Sequence, residues 1–264
     1  MQLETVLILE HRDYGAGYRL LKVAAPGIAP QVQPGQFVHV RVPRLNDAVL
    51  RRPFSVFQAQ ADMLSILYKT VGRGTAALAA LAAGQTVGLI GPLGHGFPLD
   101  GPAERVPVLV AGGYGMAALY LVAQRLPRQG MVFVGGRSAQ DILGIEDFTA
   151  LGWPAHIATE DGTRGVRGLV TDVLDAWLGE GRQSRTPEFF ACGPNGMLQA
   201  VGDRAQAGGW TAWLSVDRHM GCGVGACLTC VVKCKAPDGD WVWVRSCKEG
   251  PVFECRQIQW EEES

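Results

Sequence analysis

Apolar and polar positions alternate with a short period through the first hundred residues. Residues 4–9, 18–23 and 36–42 are β-branched-rich runs separated by turn residues. This pattern predicts an antiparallel sheet, and the close spacing of the runs predicts a barrel. From residue 106 the period changes. Residues 106–111 form a short apolar run, a glycine turn follows, and residues 116–126 carry a helical pattern before a second strand at 131–134. Further strands are expected at 154–158 and 188–191, with helices opening near Thr171 and Asn195. Alternating strand and helix of this kind predicts an α/β doubly wound parallel sheet. Beyond Trp210, glycines and cysteines crowd into a loop. Residues 230–235, a Pro237-Asp238-Gly239-Asp240 turn and residues 241–247 then read as a β-hairpin. The expected map is multi-domain: an all-β unit at 1–101, an α/β unit at 102–209 and a small cysteine-bearing module at 210–264, with no internal repeat.

Composition narrows the possibilities. A 264-residue chain with 47% hydrophobic and 19% charged residues can bury the cores of two or three domains. Its 24 basic and 25 acidic residues nearly cancel, and no basic run gives nucleic acid or an anionic bilayer a foothold. Two long uncharged stretches, 74–99 and 106–124, are interrupted by glycine turns and do not read as membrane spans. The N-terminus lacks a basic segment followed by an apolar one, so a cytoplasmic location is expected.

Seven cysteines, six of them between residues 222 and 255, are odd in number and too crowded for a disulfide framework. Cys222, Cys227 and Cys230 have the C-x4-C-x2-C spacing of plant-type [2Fe-2S] proteins, interleaved with Gly221, Gly223 and Gly225. Glycines allow a loop to turn several backbone N–H groups onto the sulfurs. The fourth ligand is Cys234, Cys247 or Cys255. A hairpin centred between Asp238 and Gly239 sets position 230 opposite 247, within about 5 Å across the ladder, and so selects Cys247. Cys234 and Cys255 are then ordinary thiols. The competing reading is a four-cysteine zinc site, but such sites favour paired C-x2-C knuckles and only one is present.

Two segments of the β domain carry chemistry suited to a flavin nucleotide. Arg52, Pro53, Phe54 and Ser55 supply a cation for a diphosphate, a rigid turn, an aromatic ring and a hydroxyl. Leu67, Tyr68 and Lys69 end a strand, and Gly74 and Thr75 open an alanine-rich helix whose amides can hold a phosphate. The plainer readings are a strand with surface arginines and a helix capped by Thr75. Two anion sites about twenty residues apart in one barrel favour one extended pyrophosphate ligand over two coincidences. In the α/β domain, Gly113-Tyr114-Gly115-Met116-Ala117-Ala118 matches G-x-G-x-x-A directly after a buried strand. A turn needed only for strand–helix packing is the alternative. The acid expected after the second strand is replaced by Gly135-Gly136-Arg137-Ser138. An arginine there suits a 2′-phosphate, which leaves NADH and NADPH both open. Cys192 and Gly193 end another strand at the same sheet edge, where Cys192 either approaches the nicotinamide or is an inert buried thiol.

These residues resemble the ferredoxin reductase superfamily and, within it, the iron–sulfur electron-transfer subunits of class B dihydroorotate dehydrogenase. The likeness covers essentially the whole chain. It rests on Arg52-Pro53-Phe54-Ser55, Gly74-Thr75, Gly112-Gly113-Tyr114-Gly115, Ala191-Cys192-Gly193-Pro194, the segment from Met220 to Cys227, and Ser246-Cys247-Lys248-Glu249-Gly250-Pro251-Val252-Phe253. The resemblance implies FAD on the three β-domain segments, a [2Fe-2S] cluster on Cys222, Cys227, Cys230 and Cys247, and NADH as donor. It also implies an FMN-containing dihydroorotate dehydrogenase catalytic subunit as partner, commonly in a heterotetramer. Residues 115–118 lack prolines that the family's glycine turn carries, and Asp217 stands where a glutamate is usual. Rival readings are a subunit of the same architecture serving glutamate synthase, a sulfur reductase or a hydrogenase, a complete single-chain reductase, or a zinc-stabilised interaction module.

Overall fold

A computed structural model of the chain describes residues 1–43, 50–181 and 185–260. The alternating runs of the N-terminal part form β1 (Gln2–Gly15), β2 (Tyr18–Ala24), β3 (Phe37–Arg41), β4 (Arg52–Ser55), β5 (Gln58–Gln60), β6 (Met63–Lys69) and β7 (Thr86–Leu93). They join in one antiparallel sheet of order β4-β3-β7-β1-β2-β6-β5. The sheet curls into a half-barrel around Val6, Ile8, Leu21, Val38, Val40, Leu64, Ile66 and Val87, capped by Leu78 of helix α1 (Arg73–Ala79). Strand β3 departs from simple alternation. Val38 and Val40 enter this core, while Phe37 and His39 on the opposite face are also buried. The C-terminal part of the chain covers them, and Phe37 and Leu93 pack there with Cys230 and Cys247.

The second half alternates as expected: β8 (Val106–Gly112), α2 (Met116–Arg125), β9 (Met131–Gly136), α3 (Ile145–Ala150), β10 (Ala155–Thr159), β11 (Val166–Arg167), α4 (Val170–Gly179), β12 (Pro187–Cys192), α5 (Asn195–Ala207) and β13 (Thr211–Ser215). Then come the hairpin β14 (Val231–Lys235) and β15 (Trp241–Arg245), and finally β16 (Val252–Glu254). The second sheet has the order β11-β10-β9-β8-β12-β13-β16, parallel throughout except for β16. Strand order reverses between β8 and β12, creating the switch point at which such sheets open a crevice.

Three differences from the sequence expectation concern how the second half of the chain is built. Helix α3 was not foreseen; it is a single short turn-and-a-half after Gly144. Residues 211–215, read as the start of the cysteine module, instead form β13 of the second sheet, and the chain returns after the hairpin to add β16 beside it. Five and three residues are too few for a periodic signal, and pairing with neighbours already in place creates these strands. The third difference is the hairpin register. It centres on Asp238, so Val231 pairs with Arg245 and position 230 lies opposite Ser246 rather than Cys247. The Ser246 N–H donates to the Cys230 carbonyl at 2.8 Å. Cys247 follows one residue later, in the turn beyond the ladder.

The two sheets are fastened together. Phe57 of the half-barrel stacks on Tyr120 of α2 at 4.8 Å, and Phe97 meets Phe190 edge-on at 5.8 Å. Arg125 donates to the carbonyls of Val32 and Ala59. Lys69 pairs with Asp141 at 3.2 Å, and the Tyr14 hydroxyl donates to Asp147 at 2.9 Å. Among the described residues no helix is long and apolar enough to cross a membrane.

Candidate functional site

The cysteine loop is organised as two pairs. Cys222 Sγ receives the backbone N–H groups of Val224 (3.4 Å), Ala226 (3.2 Å) and Cys227 (3.4 Å). Cys227 Sγ receives the Cys222 N–H at 3.4 Å and lies 3.1 Å from the Thr229 hydroxyl. Hydrogen bonding from Thr229, reinforced by Cys222, brings the Cys227 thiol down to about 6, which favours the thiolate form a metal takes. Gly223, at φ +70°, supplies the left-handed backbone that lets these amides converge. Cys230 and Cys247 are the second pair. Both are buried against Phe37 and Leu93, and the Cys247 N–H donates to Cys230 Sγ at 3.4 Å. Burial, with the neighbouring Cys230, pushes the Cys247 thiol up to about 12.

Two pairs of thiols with amides already turned onto sulfur fit a two-iron cluster, in which four cysteines are shared between two metals. A zinc site needs its ligands to converge on one ion. Cys234 and Cys255 are buried elsewhere, in the core of the second sheet with Val232 and Ile258, and burial pushes each up to about 11.

The flavin candidates lie one strand from this loop. Strand β4 pairs with β3 so that Arg52 faces Val40, Pro53 faces His39, Phe54 faces Val38 and Ser55 faces Phe37. Cross-strand partners point to the same side. Pro53 and Ser55 therefore share the face of Phe37 and His39, toward the cysteine loop, and Arg52 and Phe54 share the opposite face. Arg52 lies over the start of α1: a Cβ on Gly74 would come 2.6 Å from its Nε, so glycine makes room for the guanidinium. The Phe54 ring is 5.3 Å from that of Tyr68, whose hydroxyl lies 3.0 Å from His11 Nε2. Arg52, Phe54, Tyr68 and Gly74 thus surround one patch of cation, aromatic surface and open backbone, which fits a flavin nucleotide. Leu67 and Lys69 alternate to the other side of β6, where Leu67 packs against the second sheet's core and Lys69 lies 4.9 Å over Tyr18. The Thr75 hydroxyl accepts the N–H groups of Val71 and Gly72 at 2.9 and 3.0 Å, a capping role.

At the switch point, the turns ending β8 and β12 are pressed together. A Cβ on Gly115 would fall 2.1 Å from the Cys192 carbonyl oxygen, and one on Gly193 2.9 Å from the Gly112 nitrogen. Gly113, at φ +55°, has open space where a side chain would stand, leaving the backbone accessible at the start of α2. Cys192 is buried, and burial pushes its thiol up to about 12, with the Ser215 hydroxyl opposing. Tyr114 stands exposed beside this crevice, its hydroxyl within the field of Asp217 and Cys192. Asp217 is itself held above the usual carboxylate range by burial.

Sequence reasoning did not select His39. It is fully buried, neither ring nitrogen has a hydrogen-bond partner among the described residues, and the face of its ring packs against Gly223. A polar residue amid the apolar run of β3 was the available signal.

Residues 217–259 match the family model described as the iron–sulfur cluster binding domain of dihydroorotate dehydrogenase B. The chain is 40% identical over 232 residues to the dihydroorotate dehydrogenase B (NAD(+)) electron transfer subunit of Geobacillus kaustophilus, covering 86% of each chain. It is 33% identical over 264 residues to the subunit of the same name from Bacillus mycoides, covering 98% of this chain and 99% of that one. Among solved structures, an NADH-dependent reduced ferredoxin-NADP oxidoreductase superposes with a TM-score of 0.82 at 23% identity, over 97% of this chain and 90% of the other, and shares the fold. By its sequence over nearly its whole length, this chain belongs to the family of dihydroorotate dehydrogenase B electron transfer subunits.

Proposed function

We propose that the chain oxidises NADH at the switch-point crevice and delivers the electrons, through FAD in the half-barrel and a [2Fe-2S] cluster, to the FMN of a dihydroorotate dehydrogenase catalytic subunit in pyrimidine biosynthesis. The observation that carries this reading is the shared face of β3 and β4. Pro53 and Ser55 of the flavin motif lie on the same side as Phe37 and His39, and that side is roofed by the cysteine loop. When bound, FAD takes up the electron pair of a hydride and the cluster passes electrons on singly.

The chain's own groups bind, orient and exclude water. Arg52 and the amides at Gly74 and Thr75 hold the diphosphate, Phe54 and Tyr68 offer aromatic surface, and Ser55 presents a hydroxyl toward the flavin edge. Gly113 and Gly115, with Gly193 and the buried Cys192, shape the floor on which the nicotinamide nucleotide lies. Cys222, Cys227, Cys230 and Cys247 ligate the cluster. Hydride transfer calls for no protein acid or base, and none is assigned. The subunit works in the cytoplasm, in a heterotetramer with its FMN partner.

The test is the visible spectrum of anaerobically purified protein before and after NADH and, separately, NADPH. Flavin and iron–sulfur bands that bleach with NADH are expected, and oxidation of dihydroorotate by NAD+ should appear only when the FMN subunit is added. A colourless, zinc-containing preparation that stays colourless after reconstitution with FAD, iron and sulfide would overturn the reading.

A further inference from the structure

One imidazole joins the two elements that back the flavin patch. His11 stands on β1 beyond Leu7, where pairing with β7 has ended and β2 continues alongside, with Leu21 opposite. Its half-buried ring is bonded at both nitrogens: Nδ1 lies 2.7 Å from the Leu81 carbonyl oxygen, and Nε2 lies 3.0 Å from the Tyr68 hydroxyl. Leu81 follows α1, and Tyr68 belongs to β6. A carbonyl can only accept, so the Leu81 bond assigns the ring proton to Nδ1. Burial holds the imidazole below its ordinary value of 6.5, with the Leu81 bond opposing, so the ring is neutral at physiological pH and Nε2 is a bare acceptor. The Tyr68 O–H therefore donates to it.

Both bonds lead to the flavin motif. Tyr68 is buried, and its ring lies 5.3 Å from that of Phe54. Helix α1 carries Gly74, where the Arg52 Nε comes within 2.6 Å of the place a Cβ would take. His11 thus ties together the supports of the two side chains, Arg52 and Phe54, that share the flavin-facing side of β4. A tyrosine anchored at its hydroxyl keeps one tilt, and the Phe54 ring packed on it keeps its place. We propose that His11 is a positioning residue for FAD: by accepting the Tyr68 O–H at Nε2 it fixes the aromatic surface of Tyr68 and Phe54 against which the nucleotide lies. This rests on the reading of the half-barrel as the FAD site. The Leu81 carbonyl acts one step further back, since it selects the tautomer that leaves Nε2 free to accept.

The experiment measures the FAD dissociation constant of the complete, cofactor-loaded protein by serial dilution, read as free-flavin fluorescence. Two amide substitutions separate the two bonds. In His11→Gln the side-chain oxygen reaches the Nε2 position and can accept from Tyr68, whereas in His11→Asn the amide nitrogen takes the Nδ1 position and keeps only Leu81. FAD should be held about three- to tenfold more weakly in His11→Asn, the worth of one neutral hydrogen bond, and as in the wild type in His11→Gln. Tyr68→Phe should match His11→Asn, and the double variant should lose nothing more. A brace that merely stabilises the half-barrel would make FAD affinity follow the urea midpoint, with the Asn and Gln variants equally affected; that outcome overturns the proposal, as does unchanged affinity in His11→Asn. A further check needs no variant at position 11. In 15N NMR of the oxidised wild type, with the His11 resonances assigned by their shift in Tyr68→Phe, the proton should sit on Nδ1 alone, and a protonated Nε2 overturns the proposal whether or not the His11 variants fold. A wild-type protein that neither carries nor takes up FAD would sink the FAD reading itself and this proposal with it, whereas FAD bound equally by wild type and variants sinks the proposal alone.

Discussion

Gly115→Ala isolates the nicotinamide crevice from the rest of the electron route. Gly115 has an ordinary helical φ of −57°, so alanine introduces no backbone strain and the perturbation is purely steric. The new Cβ would lie 2.1 Å from the Cys192 carbonyl oxygen, 2.6 Å from its carbon and 3.0 Å from the Gly193 nitrogen. All three are backbone atoms of the opposing turn, with no side chain to swing aside. Since a carbon tolerates a carbonyl oxygen at roughly 3.3 Å, the ends of β8 and β12 must separate by about 1 Å. Overpacking of this kind costs about 1–3 kcal/mol, which lowers the melting temperature of a chain this size by several degrees without unfolding it. A 1 Å error at a site that must align two reacting atoms costs on the order of 100-fold. Stopped-flow reduction of the flavin by NADH should therefore show kcat/KM reduced by about 10- to 100-fold, with FAD content and iron content unchanged. The reasoning is refuted if NADH reduces the variant as fast as the wild type, or if the loss of rate merely tracks loss of FAD.

The remaining predictions concern the other sites and the fold. Arg52→Ala removes the cation proposed to hold the diphosphate and should weaken FAD retention by about 10- to 100-fold, the worth of one charge-assisted hydrogen bond. Gly74→Ala, whose Cβ would meet the Arg52 guanidinium at 2.6 Å, should lower the FAD-to-protein ratio after gel filtration in the same direction. Changing Cys222, Cys227, Cys230 or Cys247 to Ser should abolish the iron–sulfur absorbance, whereas Cys234→Ala and Cys255→Ala should keep full iron and lose only about 1 kcal/mol of stability, measured by urea unfolding. His156 stacks on Phe133 at 4.6 Å and is held below its ordinary value of 6.5 by burial. The unfolded chain therefore takes up the proton first. Its contribution is complete above pH 6.5 and is lost as pH falls below it. In His156→Gln the urea midpoint should decline less between neutral and mildly acidic pH than in the wild type.

The parts of this molecule that were legible from sequence are those whose signal is local. The glycine turn after β8 and the C-x4-C-x2-C loop each impose a backbone requirement that side chains reveal at fixed spacing. The switch point followed from simple alternation of strand and helix. Strands β13 and β16 were not legible, because three to five residues gain strand character only from the neighbour they pair with. The hairpin illustrates the limit of register arguments: a turn centre displaced by half a residue moves the partner of Cys230 from Cys247 to Ser246. Cys247 nevertheless reaches Cys230, because the chain turns immediately after the ladder and its N–H donates back to Cys230 Sγ. Proximity survived where the predicted pairing did not.

The least legible feature was the contact between modules. Nothing in residues 36–42 distinguishes a strand with one solvated face from one buried on both, and a histidine among valines reads most simply as the polar side of an alternating strand. The structure buries that side. Phe37, Ile90 and Leu93 form an outer apolar patch on the half-barrel, and the buried cysteine pair completes it. The His95 N–H donates to the Gly250 carbonyl at 2.6 Å, and the Val216 N–H donates to the Pro251 carbonyl at 2.8 Å. These bonds tie the segment after Cys247 to the half-barrel on one side and to the second sheet on the other. An electron carrier gains from such bracing, because the separation of its centres is then set by packed strands and not by a hinge. Substitutions at Phe37 or Leu93, which pack on Cys230 and Cys247, should consequently slow electron passage from flavin to cluster more than reduction of the flavin by NADH. A freely moving cysteine module would show no such separation.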